Sequence, residues 1–269
     1  LPGRYPALFD DPKRGEEARR VFDDAQRLLS EIVDRRLLRA DGVIGLYPAA
    51  SDGDDIVLYA DESRERERMR LPQLRNQQAD RERNLSLADF VAPLGSGVKD
   101  YVGAFAVTAG LGLEELAGRY RSEGDDYRAI MAKLLADRLT EAFAEALHRY
   151  ARVTLWGYER EGQWSVGDLL AEKYQGIRPA FGYPSAPDHS LKADVFALMD
   201  VGTVTGMTMT ESYMIVPGEA ACGLMLGHPE ARNFSVGRID SEQLASYAAR
   251  RGTDSEKMRV LIPQHLIDM

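Results

Sequence analysis

The chain has 269 residues, 44% of them hydrophobic, and a formal net charge of −9. That length and hydrophobic content allow a sizeable buried core, and the acidic balance argues against a general nucleic-acid surface. The single cysteine excludes an internal disulfide framework, and the absence of a membrane span or signal peptide predicts a cytoplasmic protein.

The first third of the chain contains one helix and the start of a sheet. From Gly15 to about Leu38 apolar residues recur at steps of three and four, which predicts an amphipathic helix. Short β-rich runs at 42–47 and 55–59 follow, and residues 51–54 between them form a predicted turn.

Residues 61–70 alternate in charge, with arginines at positions 64, 66, 68 and 70. In an extended ribbon this alternation gives a basic face and an acidic face. A solvated edge strand or loop is the favoured interpretation because sheet edges are commonly charged, and a docking patch is the alternative.

The middle of the chain alternates between strands and helices. Residues 89–93 and 100–108 are predicted strands, and the second is apolar on both parities, as in a central strand. Residues 113–158 have a helical pattern that is broken at Gly124. The later predicted helices are 166–174, 188–200 and two that begin near Asp240 and Thr253; the later predicted strands are 206–216, 220–227 and 234–239.

Strands grouped early and late, with helices in blocks, indicate an α+β fold with an antiparallel or mixed sheet. No Gly-x-Gly-x-x-Gly sequence opens a helix after a strand, so a Rossmann-type methyltransferase is disfavoured.

The segment from Tyr174 to Pro184 brings together a cation, two glycines, two tyrosines and two prolines. Pro179 and Pro184 restrict the backbone, Gly182 permits close approach, and Arg178 can form paired hydrogen bonds with a carboxylate. These properties suit a site for a ligand that bears an amino acid. On the residues alone an ordinary surface connection, with Arg178 in a salt bridge, is the favoured interpretation, and the ligand site is the alternative.

The sequence Arg178-Pro179-Ala180-Phe181-Gly182-Tyr183-Pro184 resembles the Arg-x-x-x-Gly-Tyr-Pro signature of the activation domain of cobalamin-dependent methionine synthase. The likeness extends over nearly the whole chain and follows the family's order. The other similar segments are Gly3-Arg4-Tyr5-Pro6, Asp89-Phe90-Val91-Ala92-Pro93, Gly103-Ala104-Phe105-Ala106-Val107, residues 137–145 and Met209-Thr210-Glu211-Ser212.

The resemblance implies a C-shaped α+β domain over residues 1–269, with a central, mainly antiparallel sheet flanked by helices. It also implies a fragment of a larger methionine synthase, consistent with a chain that begins with Leu1. Such a domain binds S-adenosylmethionine and supplies its methyl group for the reactivation of cob(II)alamin. The implied partners are the cobalamin-binding domain of the same enzyme and an electron donor, flavodoxin or methionine synthase reductase.

By the same resemblance, Arg178 binds the ligand, Ala180 and Gly182 form a backbone cradle, and Tyr183 faces the corrin. Glu141 is the family's carboxylate for the ligand's polar groups. Glu141 shares a helical stripe with Asp137, Glu145 and His148, and also with the aliphatic Ile130 and Leu134. The aliphatic residues predict a face that is partly covered, with the ligand loop as the candidate cover, although a surface Glu in i,i+4 pairs is the alternative.

This sequence departs from the family at two places. Where the family has adjacent tyrosines near the adenosyl group, this chain has Asn233 and Phe234, and only the ring of Phe234 can stack. An aspartate that the family has upstream lies before the start of this chain. We expect a reduced affinity for S-adenosylmethionine.

Two other functions remain open on the sequence. A non-enzymatic module with a decayed ligand site would dock flavodoxin-like partners through residues 61–70. An acid/base hydrolase would use Glu141 and Glu211, although no spacing selects it. Glu211 shares parity with the apolar residues of the predicted strand 206–216, so it needs a partner or a cleft. The four histidines have no metal-ligand spacing, and no metal, cobalt ligation or catalytic residue is expected in this chain alone.

Overall fold

The computed structural model describes residues 5–78 and 83–266, so Gly3-Arg4 of the first family-like segment lies outside the described residues. In these two stretches the strands are β1 (Arg39–Asp52), β2 (Asp55–Tyr59), β3 (Glu67–Pro72), β4 (Asp100–Leu111), β5 (Thr208–Met209), β6 (Ile215–Val216) and β7 (Ala220–Met225).

The helices of the same stretches are α1 (Gly15–Asp34), α2 (Leu113–Ser122), α3 (Asp126–Tyr150), α4 (Val166–Leu170), α5 (Leu191–Met199), α6 (Val201–Thr205), α7 (Ser241–Arg250) and α8 (Ser255–Leu261). A π-helical segment, Ala151–Leu155, directly continues α3. No helix in the described part of the chain is long and apolar enough to cross a membrane.

The main sheet has the strand order β3-β2-β1-β4-β7. Strands β1 and β2 form an antiparallel hairpin in which Asp52 pairs with Asp55, and β3 pairs antiparallel with β2 at one edge. Residues 102–110 of β4 are buried, as predicted for a central strand. The α+β class with a mainly antiparallel sheet is therefore confirmed.

The chain divides into two compact units. The first contains the described part of Leu1–Asp41 together with Thr108–Phe143 and Pro217–Ala220. Its core lies among α1, α2 and the first part of α3. The buried side chains of this core are Leu28, Ile32, Leu113, Leu116, Ala117, Tyr120, Ala129, Met131, Ala132 and Ala136.

The second unit contains the described parts of Gly42–Val107, Ala144–Val216 and Ala221–Met269. It holds most of the main sheet and helices α4 to α8. One of its cores packs α7 and α8 around the fully buried Tyr247, whose hydroxyl donates to Asp188 Oδ2 at 2.7 Å. Asp240 and Asp254 cap these two helices, close to the helix starts predicted from the sequence.

Three predicted strands are wrong in whole or in part. Residues 87–90 form a 3₁₀ helix because Ser86 and Asp89 make a reciprocal capping box. The run 206–216 is not one strand but the short pair β5 and β6, and Glu211 lies exposed in the turn between them. Residues 234–239 form only an isolated bridge at Ile239.

Three of the four arginines of the charged run are engaged within the fold. Arg64 donates to two backbone carbonyl oxygens, at 2.7 and 2.6 Å, and Arg68 donates to another at 3.1 Å. Arg70 pairs with Asp52 at 2.9 Å. Residues 67–72 form the edge strand β3, as the favoured interpretation predicted, so these three arginines already serve a structural role.

The burial of α2 and α3 predicts unequal costs for two identical substitutions. Leu116 is buried in the core of the first unit, whereas Leu134 is 59% exposed. Leu116→Ala should lower the free energy of unfolding by about 2–5 kcal/mol, because it removes buried apolar area and leaves a cavity. Leu134→Ala should change it by less than about 0.5 kcal/mol. Urea unfolding measures both, and equal losses would contradict this burial.

Candidate functional site

The segment that contains Arg178 is not a free loop but an extended strip along β7. Ile177 and Leu226 exchange two backbone hydrogen bonds of 2.9 Å. Leu224 donates to the carbonyl of Pro179 at 3.0 Å, and Phe181 donates to the carbonyl of Cys222 at 2.9 Å. Residues 177–181 therefore extend the main sheet beyond β7, which gives the segment the rigidity of a strand.

Gly223 makes this close pairing possible. A Cβ atom at Gly223 would lie 2.1 Å from the carbonyl oxygen of Pro179, so any other residue would push the strip away. Gly182 has a second constraint, because its φ is +92° and a Cβ there would lie 2.2 Å from the ring of His189. Both glycines are required by local geometry.

The alternation of the strip separates a buried side from an outer side. Ile177, Pro179 and Phe181 are buried, whereas Arg178 and Ala180 are partly exposed. In an antiparallel ladder alternate residues bond to the same neighbour, so the N–H and C=O groups of Arg178 and Ala180 point away from β7. The outer edge therefore offers backbone donors and acceptors beside a cation.

The Arg178 guanidinium is held on one side. Its Nη1 donates to Glu145 Oε2 at 2.5 Å and to the Tyr174 hydroxyl at 2.8 Å, and that hydroxyl donates to the same carboxylate oxygen at 3.1 Å. Nε and Nη2 of Arg178 have no hydrogen-bond partner among residues 5–78 and 83–266. The salt bridge considered for Arg178 thus exists, and it uses one nitrogen only.

A second arginine, Arg152, contacts both Glu145 and Tyr174. Arg152 is fully buried, its Nε donates to Glu159 Oε2 at 2.9 Å, and its Nη2 donates to Glu145 Oε1 at 3.4 Å. Its guanidinium carbon lies 3.8 Å from the centre of the Tyr174 ring. The Glu145 carboxylate is therefore shared by two arginines, and Tyr174 is stacked against one of them.

His148 is buried next to Arg152 and Tyr174. Its ring meets the Tyr174 ring edge-on at 5.3 Å, and in the described chain neither ring nitrogen has a hydrogen-bond partner. Burial, and then the nearby Arg152 and Arg178 charges, lower the pKa of His148 well below 6.5. The imidazole is therefore neutral at pH 7 and adds no charge to the site.

A cleft of about 420 Å³ begins near the first residues of the strip, where Gln175 and Gly227 form part of its wall. The rings of Trp156 and Tyr158 meet edge-on at 5.3 Å in another part of the wall, and burial raises the pKa of Tyr158. The remaining lining residues are Asp89, Val91, Ala92, Pro93, Val98, Asp100, His228 and Pro229. The cleft is lined by aromatic and aliphatic groups with two carboxylates.

Among the residues predicted from the sequence, Arg178 and Ala180 lie on the strip, Gly182 follows it directly, and Tyr183 comes next with 56% of its surface exposed. The peptide N–H of Val236 donates to the carbonyl of Pro184 at 2.8 Å, which ties the residues after the strip to the Asn233-Phe234 segment.

The two residues of that segment have different surroundings. The Phe234 ring is half-buried and meets the Phe90 ring at 6.4 Å, whereas the exposed Asn233 donates to Glu172 at 3.0 Å. The ring is therefore anchored in the protein, and the amide is a surface group.

Glu141 lies in the first unit and is exposed. The predicted partial cover of its helical stripe holds at one end only. Ile130 and Leu134 are 61% and 59% exposed, whereas Glu145 is bonded to Arg178 and His148 is buried against Tyr174. Sequence reasoning also missed Glu145, Arg152 and Tyr174 as site residues. A usable signal existed, since residues 145, 148 and 152 are spaced to share one face of a helix. No cluster of three or more potential metal ligands occurs in the described stretches.

Comparisons with known proteins agree with one another. The family model described as "Vitamin B12 dependent methionine synthase, activation domain" matches residues 1–252. A crystal structure of the MetH reactivation domain bound to AdoHcy is 42% identical in sequence and superposes with a TM-score of 0.96. The match covers 100% of this chain and 83% of that chain.

The contact between Gly223 and Pro179 predicts a specific stability loss. Gly223→Ala should lower the free energy of unfolding by about 1–3 kcal/mol, because the new methyl group would collide with backbone atoms. Gly218→Ala is the matched control, since a Cβ there would meet nothing within 4 Å, and it should be nearly neutral. Chemical unfolding compares the two. A neutral Gly223→Ala variant would show that the strip does not pack this closely.

The buried neutral His148 predicts acid sensitivity. Below about pH 6.5 the unfolded chain binds a proton at His148 that the folded chain does not, so stability falls as pH falls, by at most about 1.4 kcal/mol per pH unit. His148→Phe should remove this contribution. His189, whose pKa is lowered by burial and then by Lys192, keeps part of the slope. Urea unfolding at pH 7.5, 6.5 and 5.5 measures the difference, and identical slopes would refute a titrating role for His148.

Proposed function

Since the chain belongs to the activation-domain family of vitamin B12-dependent methionine synthase, we propose that it binds S-adenosylmethionine and supplies its methyl group for reactivation of the enzyme. On this proposal residues 1–269 form one ligand-binding part of a larger methionine synthase. The corresponding activity of the parent enzyme is methionine formation from homocysteine and methyltetrahydrofolate.

The observation that carries the proposal is the state of the Arg178 guanidinium: Nη1 is hydrogen-bonded, whereas Nε and Nη2 have no partner among the described residues. These two nitrogens lie beside the outward backbone groups of the strip. The amino-acid end of S-adenosylmethionine bears a carboxylate, which suits paired hydrogen bonds from Nε and Nη2 of Arg178. Its ammonium group needs acceptors, which the outward carbonyl groups of the strip provide. The related crystal structure with AdoHcy, the demethylated form of the same ligand, supports this choice.

We assign further contacts from the family likeness and the geometry together. Ala180 and Gly182 form the backbone cradle, and the half-buried Phe234 ring offers an apolar face to the adenosyl group. Tyr183 is exposed, so its phenol can meet a surface that another domain brings to the site. Glu141 and Asn233 remain proposed ligand contacts on the resemblance, and the exposure of both predicts weak contributions.

In this methyl transfer the role of the chain is to bind and orient the methyl donor. Cobalamin on another domain would supply the methyl acceptor after one-electron reduction by a protein donor, and loss of the sulfonium methyl group would leave AdoHcy in this site. Transfer of a methyl group from sulfur to a metal nucleophile moves no proton, so the site needs no general acid or base. Orientation of the methyl group toward the approaching domain is the contribution of the strip. A hydrolase is disfavoured because Glu141 and Glu211 are both exposed.

The proposed partners are the cobalamin-binding domain of the same enzyme and an electron donor, either flavodoxin or methionine synthase reductase, in the cytoplasm. The alternative of a pure docking module has less support than it had on the sequence. It required a free basic face on residues 61–70, whereas Arg64, Arg68 and Arg70 are bonded within the fold.

Ligand binding should raise the thermal stability of the isolated chain. At a concentration 100 times Kd, S-adenosylmethionine stabilises the folded state by about 2.7 kcal/mol, which is about 5–10 °C in melting temperature for a chain of this size. Arg178→Ala should abolish the shift, and Arg160→Ala, at an exposed arginine of the same unit, should keep it. Differential scanning calorimetry measures all three. A folded wild type with no shift at millimolar ligand would reject the proposal.

A further inference from the structure

We propose that Glu145 is the positioning residue of the ligand site. It orients Arg178 so that Nε and Nη2 of the guanidinium bind the carboxylate at the amino-acid end of the ligand. This inference rests on the proposed function. It goes further because it assigns ligand specificity to a side chain on α3 that the family resemblance did not indicate.

The geometry around Glu145 is that of a bridge between two cations. Oε2 of Glu145 accepts from Arg178 and from Tyr174, and Oε1 accepts from Arg152. Glu159 provides the second negative charge by pairing with Arg152. Two arginines and two glutamates leave the group neutral before any ligand binds.

A guanidinium is planar, so fixing one nitrogen in two hydrogen bonds also fixes the direction of the opposite edge. Nη1 of Arg178 donates to Glu145, on α3, and to the Tyr174 hydroxyl, so both hydrogen bonds hold the same edge of the guanidinium. The stack of Arg152 on the Tyr174 ring, with His148 at the ring's edge, prevents Tyr174 from turning. Nε and Nη2 of Arg178 are therefore presented in one direction before the ligand arrives, which reduces the entropy lost on binding.

This arrangement predicts an effect that depends on the ligand. AdoHcy carries the amino-acid carboxylate that Arg178 would bind, whereas 5′-methylthioadenosine has the same nucleoside and a thioether but no amino acid. If Glu145 acts through Arg178, its loss weakens only the ligand with the carboxylate. A residue that merely stabilises the fold would weaken both ligands alike.

The test is isothermal titration of the full chain with each ligand. Glu145→Gln keeps the shape and removes the charge, and it should weaken AdoHcy on the order of tenfold to a hundredfold while 5′-methylthioadenosine binds unchanged. Glu161→Gln is the matched control, because Glu161 is 78% exposed and, within residues 5–78 and 83–266, pairs only with Arg149. In an Arg178→Ala background, Glu145→Gln should have no further effect on AdoHcy.

The outcomes separate this inference from the proposed function. If the wild type binds neither ligand, the proposed function fails. If the wild type binds AdoHcy and Glu145→Gln leaves both affinities unchanged, or lowers both equally, only the positioning role of Glu145 is overturned. Should Glu145→Gln fail to fold, Tyr174→Phe decides the question: it keeps the ring and removes the hydroxyl that binds Nη1. A smaller loss confined to AdoHcy supports the role, and any other pattern contradicts it.

Discussion

The site depends on one carboxylate that two arginines share. Glu145 neutralises the fully buried Arg152 in part and holds the partly exposed Arg178 by a single nitrogen. A buried arginine is costly unless it is paired, and Glu145 supplements the closer pairing of Arg152 with Glu159 whether or not a ligand is present. The ion pair between Glu145 and Arg178 also orients the Arg178 guanidinium, so the same carboxylate contributes to the fold and to ligand recognition.

The scaffold beneath this pair is a sheet edge. Because residues 177–181 bond to β7 on one side, the outward amides of Arg178 and Ala180 keep fixed directions, and the buried Phe181 prevents the strip from rotating. The close approach at Gly223 brings the two backbones together. Sites on strands hold their groups more precisely than sites on mobile loops, which matters when the task is to orient a methyl group.

Local patterns predicted much of the fold. Three predictions rest on residues close together in the sequence: the helix from Gly15, the central strand over residues 100–108 and the capping of α7. All three elements are present, although the first helix ends at Asp34 rather than near Leu38. The predicted strand at 89–93 failed because a capping box outcompeted β propensity, and Glu211 was misplaced because a turn interrupts the run 206–216. Both failures come from side-chain hydrogen bonds and turns that hydrophobic alternation does not register.

The candidate site was less accessible from the sequence. Arg178 was found by family resemblance, since the composition of the segment alone favoured an ordinary salt bridge over a ligand contact. Its pairing with Glu145 joins residues 33 positions apart, so no local pattern could reveal it. The sequence shows that Glu145, His148 and Arg152 are spaced to share one helix face. That Tyr174 packs against this face follows only from the structure.

The most direct measurement of the central claim is a crystal structure of this chain soaked with AdoHcy. We predict that the ligand's carboxylate lies within hydrogen-bond distance of Nε and Nη2 of Arg178, with Nη1 still bound to Glu145. Ligand density that avoids residues 177–183, or an Arg178 side chain that has left Glu145 to reach the ligand, would contradict the account.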